Sequence, residues 1–132
     1  MTLSKKKYPA YYPDNCPPDE AKPQEIKVYR ICESNPASPK DFLSHYQKNP
    51  SKFKDNIFAY GLSVLYDIKE IDKMRKISPV LRNYKYIATG ITYEYTGVIL
   101  KTPSNNCASH ITWWLYEGVY PHTFFEVCMQ VS

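Results

Sequence analysis

Glycine is scarce in this 132-residue sequence, with four residues against 11 prolines, so the connections between elements are built from stiff backbone. Long apolar runs are missing as well. No stretch approaches the roughly 18 consecutive apolar residues of a spanning helix, so no membrane association through such a helix is expected. The opening Met1-Thr2-Leu3-Ser4-Lys5-Lys6-Lys7 leads into no hydrophobic segment, and the expected location is cytoplasmic. No C-x-x-C occurs: Cys16, Cys32, Cys107 and Cys128 lie far apart in a chain large enough to fold without cross-links, so reduced thiols are expected. The nearest metal-like pair, Cys107-x-x-His110, has no matching second pair at ligand spacing, and no metal site is expected. The absence of Gly-x-Ser-x-Gly, a Walker-type loop, a Rossmann glycine fingerprint and H-E-x-x-H removes most motif-marked enzyme classes. A net charge of +4 and a pI of about 8.8 fall short of the dense Lys/Arg stripe that phosphate-backbone binding needs.

What is present suits one small domain. Hydrophobic residues make up 43% of the chain and aromatics 15%, enough for a single core. Thirteen tyrosines enrich the core rim and any binding surface, because each ring carries a hydroxyl that needs a partner when buried. Residues 1–24 hold Pro9, Pro13, Pro17, Pro18 and Pro23, which exclude regular helix and central strand. They read as an extended proline-rich arm, packed through Tyr8, Tyr11 and Tyr12 or left free, ahead of one domain over residues 25–132.

Alternation in Glu25-Ile26-Lys27-Val28-Tyr29-Arg30-Ile31 predicts a first strand. Ser38, Pro39 and Asp41 predict a helix start, with Phe42, Leu43 and Tyr46 on one side and Asn49-Pro50 as the stop. Residues 57–66 are almost continuously apolar and are read as a helical turn up to Gly61 followed by a buried strand. Asp67-Ile68-Lys69-Glu70 has the spacing of a helix cap, with Ile68, Ile71 and Met74 facing the core and Ser78-Pro79 ending the helix. From residue 84 a period of two predicts four strands, divided at Gly97, at residues 103–106 and at Gly118 with Pro121. The order β-α-β-α-β-β-β-β places the chain in the α+β class with a largely antiparallel sheet.

Few residues stand out chemically. Asp41, Ser44 and His45 have the side chains of a hydrolase triad, but Ser44 and His45 are sequence neighbours that point to different helix sides. Arg30, at the end of a strand, can hold a phosphate or ribose bidentately, or can form a structural ion pair. Ser63 puts a hydroxyl inside an apolar strand. With His110 and Glu126 on late strands, a sheet can gather Arg30, Ser63, His110 and Glu126 in one cleft. Trp113 and Trp114 are either core or part of an aromatic surface.

Cys16-Pro17-Pro18, Val28-Tyr29-Arg30, Asn35-Pro36, Asp41-Phe42-Leu43-Ser44, Gly61-Leu62-Ser63-Val64, Thr112-Trp113-Trp114 and Phe125-Glu126-Val127 together resemble a group of small bacterial proteins without an assigned activity. That resemblance covers most of the chain and implies one compact domain from a bacterial source. More distantly, a first-strand arginine, a serine-bearing second strand and a late-strand glutamate are similar to the layout of ADP-ribosyltransferase-like domains. The likeness implies that Arg30 anchors NAD, Ser63 supports the nicotinamide pocket with His110 beside it, and Glu126 contacts the ribose. The Ser-Thr-Ser and Glu-x-Glu or Gln-x-Glu patterns of that superfamily are missing here. The leading expectation is a non-catalytic module that binds a protein partner through aromatic residues and requires no cofactor. The alternatives are an NAD-using enzyme, possibly a toxin or effector, in which Arg30, Ser63 and Glu126 are catalytic, and an RNA-binding protein using Lys5, Lys6 and Lys7.

Overall fold

A computed structural model describes residues 7–131. The protein is an α+β domain around a six-stranded sheet in which every strand pair is antiparallel. Its strands are β1 (Lys27–Cys32), β2 (Leu62–Leu65), β3 (Tyr86–Ile91), β4 (Gly97–Lys101), β5 (His110–Leu115) and β6 (Glu126–Gln130), in spatial order β4-β5-β2-β1-β3-β6. The helices are α1 (His45–Lys48), α2 (Pro50–Phe53) and α3 (Glu70–Ile77). Among the described residues no helix is long and apolar enough to cross a membrane.

Both faces of the sheet are covered, which explains why several strands read as apolar at consecutive positions. One face carries Val28, Val64, Ala88, Ile111 and Trp113 against Phe42 and Phe125. The opposite face is covered in two halves. α3 packs Ile71 and Met74 on Leu65 and Ile87, and the N-terminal arm packs Cys16 and Ala21 around Val98 and Trp114. The arm is therefore part of the fold. Lys22 exchanges backbone hydrogen bonds of 3.0 and 2.8 Å with Ile99 of the edge strand β4, and Tyr8, Tyr11 and Tyr12 join Tyr46, Tyr60 and Tyr116 in a continuous ring cluster. Trp113 and Trp114 are both fully buried, so neither contributes to an aromatic surface. Of the lysine trio expected to meet RNA, Lys5 and Lys6 lie outside the described residues.

The predicted helix after Ser38 is divided. Pro39–Phe42 forms a 3-10 turn, Leu43 is extended, and α1 starts afresh on Ser44, whose hydroxyl accepts from the Gln47 amide at 3.2 Å. The cause lies on β1. Arg30 donates to the carbonyls of Asp41 and Leu43, which a continuous helix needs for its own ladder. Asn49 then caps α2 with Pro50 in its first turn, so the Asn49-Pro50 pair read as a helix stop also starts the next helix. The Gly61 boundary falls as read, with a 3-10 turn at Ile57–Tyr60 before it and β2 after it. Glu70 does not close back on its own helix. Its carboxylate accepts from the amides of Ala108 at 3.0 Å and Ser109 at 2.7 Å, tying α3 to the loop before β5.

Candidate ligand-binding cleft

β1 zips along β3 for its whole length but meets β2 at one residue pair, Tyr29 with Leu65. Arg30 bridges the two strands beyond that point. Its Nε donates to the Asp41 carbonyl at 2.6 Å, Nη1 to the Ser63 carbonyl at 2.7 Å and Nη2 to the Leu43 carbonyl at 3.2 Å, with the ring of Phe42 5.9 Å away. Three carbonyl dipoles thus hold a cation that cannot lose its proton at neutral pH. Burial pushes the guanidinium pKa down, while Cys32 and Asp41 pull it back up. The Asp41 carboxylate is itself occupied by the Glu33 amide at 2.8 Å and the Ser38 amide at 2.9 Å.

Over this junction lies a cleft of about 500 Å³, bounded by β1 and β2, by residues 43–48, and by α3 with the chain that follows it. Arg30, Ser63 and His110 all line it. They meet because β2 sits between β1 and β5, with Ser63 opposite Thr112 and Leu65 opposite His110. Glu126 does not join them: it is exposed on β6, which is outermost beyond β3, two strand spacings or about 10 Å from β1. The His110 Nδ1 lies 2.7 Å from the Thr102 hydroxyl and 3.2 Å from its carbonyl, so the other ring nitrogen is left to the cleft. Burial lowers its pKa against the Thr102 bond, and His45 lowers it further.

The lining also contains residues that the sequence reading did not group with Arg30, Ser63 and His110. Lys48 and Arg75 add two permanent cations, and His45 adds a second imidazole. Burial followed by Lys48, Arg30 and Lys52 lowers the His45 pKa, and burial followed by Arg30 lowers that of Lys48. These groups therefore repel one another. Among the described residues no carboxylate lines the cleft, although Glu33 and Asp41 lie close enough to raise the Lys48 pKa. Ser44 and Asp41, the polar members of the triad-like trio, are engaged in helix capping. Among the described residues no thiol lines the cleft, and burial pushes Cys16 up to about 11 and Cys32 up to about 12. Among the described residues no group of three His, Cys, Asp or Glu side chains can hold a metal ion.

Compared with known proteins, the chain matches no family model, no curated protein and no solved structure.

Proposed function

We propose that this protein is a non-catalytic binding domain that takes a small anionic ligand in the cleft over the β1–β2 junction. The observation that carries this reading is the charge of the lining, where Arg30 and Lys48 lie close enough to His45 to repel it and one another, with no carboxylate among the described lining residues. An anion seated there relieves the repulsion among them and can use the two guanidinium N–H groups that Arg30 does not give to carbonyls. Isothermal titration with inorganic phosphate at constant ionic strength tests it. One site is expected, weakened at least tenfold in Lys48→Glu, a change at an exposed position. No binding, or binding indifferent to that substitution, contradicts the reading.

An ADP-ribosyltransferase role draws support from Arg30, Ser63 and His110 lining one cleft, since NAD also presents phosphates. The ribose-contacting carboxylate assigned to Glu126 lies elsewhere, so the proposal stops at binding and includes no cleavage of NAD.

A protein partner is the second reading. It is favoured by a separate groove of about 440 Å³ beside Tyr11 and Tyr120, which are 43% and 62% exposed. Peptide-array binding that is lost in Tyr120→Asp supports it. Hits that survive the substitution oppose it.

A further inference from the structure

We infer that the ligand of this cleft is an amphiphile, with an anionic head held at the Arg30 end and an apolar chain or ring lying beneath α3. The inference rests on the anion-binding reading and adds the chemistry of the rest of the molecule. Its basis is the uneven spread of charge over the lining. The cations Arg30 and Lys48 come from β1 and the α1 segment, beside the His45 imidazole and the hydroxyls of Ser44 and Ser63. The opposite wall carries one cation, Arg75 of α3, and is otherwise largely apolar. Leu65, Ile71 and Met74 extend the cluster that packs α3 on the sheet, and Val80 and Leu81 continue the same wall where the chain leaves α3. Val80 is 61% exposed, and Ile77 on the same segment is 48% exposed, so apolar surface continues from the wall out to solvent. A bare phosphate fills only a small part of about 500 Å³ and leaves that wall wet. A ligand carrying methylenes or a ring along with its charge covers both parts, which is the usual composition of a small-molecule site.

Each methylene moved from water into an apolar slot tightens binding by roughly fourfold, the equivalent of about 0.8 kcal/mol. The probes are inorganic phosphate, butyl phosphate, octyl phosphate and octanol, titrated into the full chain by calorimetry at constant ionic strength. The expected result is a rise in affinity from phosphate to octyl phosphate of at least tenfold, with octanol far weaker than octyl phosphate. Leu81→Glu is expected to shrink the gain from phosphate to octyl phosphate, because a charged side chain cannot line the slot for the alkyl chain. The chain-length series needs no variant, so it decides the matter even if Leu81→Glu does not fold. Equal affinity for phosphate and octyl phosphate overturns the amphiphile and leaves the anion site standing. Absence of binding by either phosphate probe overturns both. Octanol binding as tightly as octyl phosphate overturns the head-group assignment. Sedimentation with phosphatidic acid vesicles, without uptake of free octyl phosphate, assigns the surface to a membrane and also contradicts the inference.

Discussion

Arg30 shows how one side chain sets local structure and also supplies the charge of a site. Its planar fork reaches three carbonyls on two segments, ends the 3-10 turn before α1 and substitutes for strand pairing between β1 and β2. A lysine keeps the charge but cannot address three acceptors in one plane. Arg30→Lys is therefore expected to lower stability by about 3 kcal/mol, seen as a reduced urea midpoint, because buried carbonyls lose charge-assisted partners. An unchanged midpoint would show that the fork is dispensable. The histidines give a second test at this scale. Both His45 and His110 have pKa values held below the ordinary 6.5, so below that pH the unfolded chain takes up protons that the native state resists. Stability is expected to fall as pH drops from about 7.5 to 5.5, and to fall less in His110→Gln. Parallel losses in both proteins would remove His110 from the account. The residue types of this site were legible in the sequence for Arg30, Ser63 and His110. Lys48 was not, since a lysine near a helix end carries no signal until its neighbours in space are known.

At the scale of elements, periodicity located the strands and Gly61 marked the start of β2. The division of the helix after Ser38 was not legible, because its cause is a side chain on a strand that precedes it. The reach of Glu70 to residues 108 and 109 was hidden for the same reason: local spacing matched a cap, while the partner amides came from far along the chain. The edges of the sheet also became visible only in three dimensions. β4 is covered by the arm through Lys22, and β6 carries an irregularity at Cys128, the residue passed over between the Ala88–Val127 and Ile87–Met129 pairs. Both arrangements discourage edge-to-edge association. Removing residues 1–24 is expected to uncover β4 and the Trp114 cluster, lowering the melting temperature and producing higher-order species in size-exclusion chromatography. A truncated protein that stays monomeric and equally stable would show that the arm is only an appendage.

Over the whole molecule, strand order decides which candidate residues meet. The sequence offered Arg30, Ser63, His110 and Glu126 as one constellation, and periodicity alone could not tell where each strand would lie. Placing β2 between β1 and β5 gathers the first three, and placing β6 beyond β3 removes the fourth. The outcome is a basic cleft, without a carboxylate among its described lining residues, in which Arg30 and Lys48 stand at one end and the apolar side chains of α3 and the chain after it at the other. Its central claim, that an anion belongs there, is tested most directly by following the His45 and His110 imidazole resonances by NMR during a phosphate titration across pH 5 to 8. The account expects both imidazole pKa values to rise on phosphate binding, with amide shifts concentrated at residues 30, 44–48 and 63. Unmoved pKa values, or shifts centred on another surface, would contradict it.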